Sequence, residues 1–116
     1  MISTETAEHY TWGDGCDGWH LLRGPGLSVI RERMPPGAAE ARHLHERARQ
    51  FFYVLAGSLT MELEGERRRI SAGEGLEVPP GAAHQALNDS DADVHFLVIS
   101  HPPSHGDRVP RPPDTK

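Results

Sequence analysis

Three histidines and one glutamine are the residues of this sequence best suited to hold a metal ion. His43 and His45 are two positions apart, and on a strand that spacing projects both imidazoles to the same face, where they can close on one ion. His84 comes from a different predicted strand, and Gln50 adds a polar oxygen. Three imidazoles and one amide oxygen form a ligand set that suits a divalent transition metal. If the chain carries out any chemistry, we expect it at these four residues.

The glycines and prolines around these residues follow two fixed spacings. The first is a glycine, five residues, His-x-His, four residues, a further polar position, six residues and a second glycine, and it is formed by Gly37, His43, His45, Gln50 and Gly57. The second is a glycine, five residues, Pro-x-Gly, two residues, a histidine, three residues and an asparagine, and it is formed by Gly73, Pro79, Gly81, His84 and Asn88. Together they resemble the two motifs of the cupin superfamily, in particular its small single-domain (type-2) metal-binding members. The one departure is Gln50, where the family usually has glutamate.

The resemblance implies a fold and a set of activities. The fold would be a double-stranded β-helix, a small jelly-roll barrel with the metal inside. Metal cupins include dioxygenases, isomerases, lyases and cyclases that act on small oxygenated molecules. Our first hypothesis is therefore a metal-dependent enzyme in which the ion polarises a bound carbonyl or carboxylate. The second is a non-catalytic module that binds a small ligand with the metal as anchor, and the third is a purely structural barrel.

Gln50 determines what the ion would do. A neutral amide leaves the full double charge on a divalent ion. The ion is then a stronger Lewis acid and binds anions better than it would beside a glutamate. Gln50 could instead turn away and leave a three-histidine site with open positions. Imidazole-rich sites suit several metals, so we expect zinc or nickel in the isolated protein, with iron or manganese as alternatives in the cell.

The remaining pattern predicts an all-β domain. Short apolar runs at 19–22, 27–34, 50–56 and 94–99 and an alternating run at 59–64 are separated by Gly/Pro turns, and no helical period is present. In both Pro-Pro-Gly tripeptides, at 35–37 and 79–81, glycine stands where a type II turn needs it. We divide the chain into an N-terminal extended segment (1–18), the barrel (19–100) and a tail (101–116) that is too rich in proline for a strand or a helix. The first half of the tail could also cover a pocket.

Strand parity predicts a pocket and an outer face. If Gln50 points inward, Phe52 and Val54 do so too. The candidates for the pocket wall are Trp19, Met34, Phe52, Val54, His95 and Phe96. His95 is the only further titratable group on a predicted core strand, so no dedicated general base stands out.

The opposite parity places Phe51, Tyr53 and Leu55 on the outside. An apolar row of this kind needs cover. We expect a homodimer to supply it, with residues 1–18 or 101–116 as the alternative cover.

Composition limits the partners of the chain. With 116 residues, a net charge of −5 and a pI near 5.9, the chain fits one domain and has no basic excess for nucleic acid or anionic membranes. The first 20 residues contain no apolar leader, and no stretch is long enough to span a bilayer, so we expect a cytoplasmic protein whose partner is a small molecule. Cys16 is the only cysteine, which excludes an internal disulfide and a thiolate cluster. It lies in a turn-rich stretch and is interpreted as a small residue.

Overall fold

The fold is all-β, as the sequence predicted. A computed structural model describes residues 1–113, and these form strands and turns with no helix. The strands are, in chain order, β1 (Glu8–Trp12), β2 (Cys16–Arg23), β3 (Ser28–Met34), β4 (His43–His45), β5 (Arg49–Ala56), β6 (Ser58–Leu63), β7 (Glu66–Ser71), β8 (Gly75–Val78), β9 (His84–Leu87), β10 (Val94–His101) and β11 (Arg108–Pro110). No helix among the described residues could span a membrane.

Two antiparallel sheets build the molecule. One has six strands in the order β1-β2-β3-β10-β5-β8, and the other has five in the order β11-β4-β9-β6-β7. The chain crosses between the sheets several times, which is the connectivity of a double-stranded β-helix. The apolar inner faces form one core, and its largest fully buried side chains include those of Phe96, Met34 and Leu59.

The predicted strand parity is confirmed. Burial alternates along β5, so that Gln50, Phe52 and Val54 point into the barrel, and the intervening side chains face outward. The same alternation runs along β10, where Phe96 and Ser100 are buried. Because the register pairs Gln50 with Ser100, these two inward side chains lie side by side.

Both Pro-Pro-Gly turns adopt the predicted geometry. Gly37 has φ of 84° and Gly81 has φ of 80°, a region that L side chains enter only with strain. Each turn is closed by a backbone hydrogen bond, from Ala38 N to Pro35 O at 3.2 Å and from Ala82 N to Pro79 O at 3.3 Å. The second turn leads directly into β9, whose first residue is His84.

The terminal segments are more ordered than the sequence indicated. Residues 8–12 form strand β1, which extends the edge of the six-stranded sheet, and β2 begins at Cys16, whose side chain is fully buried. The expectation that the tail is too proline-rich for a strand is wrong, because β11 pairs with β4. An edge strand of three residues needs few backbone donors, so a proline at its end is tolerated. Residues 114–116 of the tail lie outside the described part.

Candidate metal centre

The structure brings His43, His45 and His84 together inside the barrel. His43 and His45 lie on β4 and His84 on the neighbouring β9, where the register pairs His43 with His84. Each offers a ring nitrogen, and the three nitrogens lie within 4.8 Å of one another. All three residues are buried, with exposed fractions of 4%, 7% and 0%. The three imidazoles are therefore close enough to hold one metal ion together.

Backbone carbonyls orient two of the rings. His43 donates from Nδ1 to Ala41 O at 2.7 Å, and His84 donates from Nδ1 to Ala82 O at 3.0 Å. A ring that donates from Nδ1 carries its free lone pair on Nε2, which is the usual arrangement of a metal-binding histidine. Nε2 of His84 is buried and has no hydrogen-bond partner among the described residues.

Gln50 lines the same cavity as His43 and His45, and it also lines a neighbouring hollow. Its Nε2 donates to Ser100 Oγ at 3.0 Å, while its Oε1 is buried without a partner in the described chain. A buried amide oxygen left unpaired costs free energy. A divalent cation would accept the lone pairs of Gln50 and His84 together, so the residues fit the ion that the motifs imply.

Burial also keeps the histidines in the form that binds metal. Burial disfavours the imidazolium ion and lowers the pKa of His43 to about 3 and that of His45 to about 4, and it lowers the pKa of His84 as well. All three rings are therefore neutral at pH 7. No proton has to be displaced when a cation enters at that pH.

A cavity of about 290 Å³ opens beside these residues, and its wall is more polar than the sequence suggested. Its lining consists of Tyr10, Ile30, Glu32, Glu40, His43, His45, Gln50, Phe52, Val98, Ser104, His105, Gly106 and Arg108. An adjoining cavity of about 380 Å³ shares Ile30, Ser104 and His105. A larger hollow of about 750 Å³ is lined by residues such as Leu44 and Gln85 and includes none of the three histidines. The polar cavity is therefore the place where a ligand can meet the metal centre.

Two glutamates in this cavity were missed by the sequence analysis. Burial raises the pKa of Glu32 to about 7, against the lowering effects of a hydrogen bond from Tyr10 and of the Arg108 charge. Burial raises the pKa of Glu40 to about 8, against a hydrogen bond from the Ala86 backbone. Both carboxyls can therefore exchange a proton near neutral pH. The sequence analysis found no residue that stands out as a general base, and these two carboxyls are candidates that it did not consider.

Hydrogen bonds hold both carboxyls in place. Tyr10 Oη donates to Glu32 Oε2 at 3.1 Å, and burial together with this carboxylate raises the pKa of the tyrosine. The Ala86 backbone N donates to Glu40 Oε2 at 2.9 Å. One signal in the sequence would have found Glu32, because it alternates with Ile30 and Met34 on the inward side of β3.

Most of the predicted pocket wall lies elsewhere. Of the six candidates, only Phe52 lines the cavity, and its ring meets that of His84 edge-on at a centroid distance of 6.0 Å. Met34, Val54 and Phe96 belong to the core cluster away from the cavity wall. Trp19 and His95 lie at outward positions of their strands, where Trp19 packs on His9 and His95 Nδ1 lies 3.3 Å from Arg31. Trp19 and His95 were misplaced because parity on β2 and β10 was not worked out, whereas Met34, Val54 and Phe96 point inward but pack in the core beyond the cavity wall.

The family of the chain follows from the site and a direct comparison. Residues 30–100 match the family described as Cupin domain (Cupin_2), and this span contains all four candidate ligands. The chain belongs to the cupin family. The barrel and the site described above are therefore those of a small cupin.

Individual relatives are more distant. This cupin is 27% identical to an uncharacterized protein of Methanocaldococcus jannaschii over 89 residues, which are 76% of this chain and 71% of the relative. It is 31% identical to the polyketide synthase CurC of Streptomyces cyaneus over 85 residues, 70% of this chain and only 53% of that protein. A gentisate 1,2-dioxygenase of Aquipseudomonas alcaligenes is 26% identical over 87 residues, 66% of this chain and 25% of the relative.

Solved structures share the whole fold. The structure of KdgF from Halomonas sp. superposes with a TM-score of 0.79 at 27% sequence identity, covering 89% of this chain and 93% of that one. The likeness therefore extends over most of both chains.

Proposed function

We propose that this cupin is a metal-dependent enzyme that acts on a small oxygenated organic molecule, and that its reaction belongs to the proton-transfer class of isomerases and lyases. The observation that carries the proposal is that candidate metal ligands and titratable carboxyls line one cavity. His43 and His45 line it beside Gln50, and Glu32 and Glu40 line it too. A ligand bound there would contact a Lewis acid and a titratable carboxyl at once.

Different residues of the cavity would have different roles in the reaction. His43, His45, His84 and Gln50 would hold the divalent ion, which supplies Lewis acidity toward a carbonyl or carboxylate oxygen of the ligand. Glu32 or Glu40 would take up and return a proton, because burial brings the pKa of each close to neutral pH. All four candidate ligands are neutral, and Arg108 adds a positive charge to the wall, so a ligand that carries a negative charge is favoured.

Names of relatives support an enzyme of small oxygenated molecules but leave the reaction open. The gentisate 1,2-dioxygenase is matched over only 25% of its length, and a quercetin 2,3-dioxygenase over 18%. Oxygenation is therefore the alternative reaction for a metal-dependent enzyme of this kind. The two proton-accepting carboxyls favour proton transfer over it.

Metal content is the first test. Protein purified without a nickel column is analysed for zinc, nickel, iron and manganese, beside a His43→Ala/His84→Ala variant and a His95→Ala control, since His95 lies on the outer face. We expect a near-stoichiometric metal in the wild type and the control and its loss in the double variant, with folding checked by circular dichroism. A folded wild type that takes up none of these metals would overturn the proposal.

Turnover is the second test. Metal-loaded protein is screened against small hydroxy and keto acids, and each conversion is repeated with Glu32→Gln and Glu40→Gln. We expect turnover that collapses in at least one glutamine variant while the metal is retained. Binding without conversion across metals and substrate classes would replace the enzyme with a ligand-binding module.

We also propose that two copies of the chain pair through the outer face of the six-stranded sheet. Phe51, Tyr53 and Leu55 are 40%, 36% and 37% exposed there. The terminal segments do not supply cover in the described chain, because β1 extends the edge of the sheet and β11 joins the other sheet. A second copy is the simplest cover for such a row.

A further inference from the structure

The carboxylate of Asp107 holds the loop that joins two of the candidate metal ligands. Residues 46–48 lie between His45 and Gln50. Asp107 accepts hydrogen bonds from three successive backbone N–H groups of this loop, at 3.2, 2.9 and 2.8 Å, and it is only 6% exposed. These bonds are charge-assisted, and without them Arg47 N and Ala48 N would lose their acceptor, while Glu46 N would keep only the backbone oxygen of Asp107 at 3.4 Å. The tail thus fixes the segment in which both ligands are anchored.

The next residue of the tail supports the other end of β4. Arg108 donates from a terminal guanidinium nitrogen to Ala41 O at 3.1 Å. The same carbonyl accepts the Nδ1 proton of His43 at 2.7 Å and thereby orients that ring. Arg108 also pairs with His45 in the β11–β4 ladder. Adjacent tail residues therefore hold the loop after β4 and the carbonyl before it.

We infer that Asp107 and Arg108 form a clamp that positions His43 and His45 for metal binding. The inference rests on the metal site of the proposed function and adds a role for a tail outside both sequence motifs. The groups that hydrogen-bond to a metal-binding histidine fix the orientation of its ring, and their loss typically weakens metal affinity about 10–100-fold. The coupling is reciprocal, because an ion that favours the ordered β4 also favours the docked tail.

Cobalt titration tests the clamp directly. Metal-free wild type, Asp107→Ala and Asp107→Asn are titrated with Co²⁺, with the d–d absorption bands as the readout. Asp89→Asn is the matched control, because the Asp89 carboxylate also accepts a hydrogen bond, from Thr60 Oγ1 at 3.0 Å, on a loop after β9. We expect the Kd to rise about tenfold or more in Asp107→Ala with altered bands. Asp107→Asn should lie between Asp107→Ala and the wild type because one acceptor oxygen remains, and the control should match the wild type.

Hydrogen exchange tests the clamp without any substitution. In the wild type, Co²⁺ should slow exchange at the amides of residues 46–48 and of Arg108 and Val109, whereas amides of the hairpin between β6 and β7 should not respond. This measurement decides the question even where Asp107→Ala fails to fold.

The outcomes separate the two proposals. A wild type that takes up no Co²⁺ overturns the metal site and the clamp together. A wild type that binds Co²⁺ while folded Asp107→Ala binds it equally tightly, or while the loop and tail amides do not respond, overturns the clamp alone.

Discussion

Gln50 donates from Nε2 to Ser100 Oγ at 3.0 Å across the β5–β10 ladder, and its Oε1 stays buried without a partner in the described chain. A hydroxyl can donate or accept, so Ser100 would tolerate either orientation of the amide. A cation in the cavity selects the orientation in which the oxygen faces it. As a metal ligand, Gln50 would be neutral, and its amide would be held by its neighbour on β10.

The charge at position 50 should set the balance between metal and anion affinity. In Gln50→Glu a carboxylate faces the ion, so we expect Co²⁺ to bind about tenfold more tightly and oxalate to bind the loaded protein less tightly. Calorimetric titration measures both. Gln85→Glu is the control, because it adds the same charge on β9 outside the polar cavity. Equal Co²⁺ affinity in Gln50→Glu and the wild type would argue against amide ligation.

The raised pKa of Glu40 should make the metal-free protein less stable as the pH rises. The carboxyl titrates near its ordinary pKa of 4.5 when unfolded and at about 8 when folded, so between these values the folded state holds more protons. The free energy of unfolding therefore falls with rising pH across this window. Glu40→Gln removes the charge and keeps an acceptor for the Ala86 N–H.

We expect Glu40→Gln to flatten this decline and to raise the free energy of unfolding at pH 8.5 by roughly 1–2 kcal/mol. This is less than the free energy that the full pKa shift would give, because the residue keeps some solvent contact. Urea unfolding of metal-free protein from pH 5 to 8.5 measures the effect. Glu5→Gln, at an exposed position, is the control. An unchanged pH profile in Glu40→Gln would contradict the assigned ionisation.

The cluster of three histidines could be predicted from sequence because local geometry places them. His43 and His45 share a face by strand parity alone, and the turn before His84 is encoded by Pro-Pro-Gly. The fold followed from the same local signals. Each of these features depends on residues that are near one another in the chain.

The acidic wall could not be predicted in the same way because long-range contacts create it. Glu32 stands between Arg31 and Arg33, and such a run normally indicates a solvated face. The Glu32 carboxyl is removed from water only because β1 and the tail lie around β3 in the fold. Asp107 likewise gains its role from a loop about 60 residues away. The alternation of Glu32 with Ile30 and Met34 indicates its inward side of β3, but the contacts that bury its carboxyl, and those of Asp107, leave no signal in the sequence.

Two motif glycines differ in a way that stability measurements should resolve. Gly57 and Gly73 both have positive φ, of 80° and 87°, so alanine is strained at either position. A Cβ on Gly57 would also lie 2.4 Å from the backbone oxygen of Asp93, whereas one on Gly73 meets nothing within 4 Å. We expect Gly73→Ala to cost about 1 kcal/mol and Gly57→Ala about 3 kcal/mol or more. Urea unfolding compares them, and equal losses would contradict a steric role for Gly57.

The outer face of the six-stranded sheet should carry the dimer contact. Tyr53 lies opposite Leu97 in the β5–β10 register, and Phe51 lies opposite Ile99, so the exposed row borders half-buried apolar side chains of the neighbouring strand. Tyr53→Glu places a charge in the middle of this row and should convert a dimer into a monomer, because an unpaired charge buried at an interface is costly.

Light scattering coupled to size exclusion measures the mass of each species. Arg68→Gln is the matched control, since it changes the net charge by the same amount on β7 of the other sheet. We expect a dimer for the wild type and the control and a folded monomer for Tyr53→Glu. A monomeric wild type at tens of micromolar, or a dimer that survives Tyr53→Glu, would show that this face does not pair two copies.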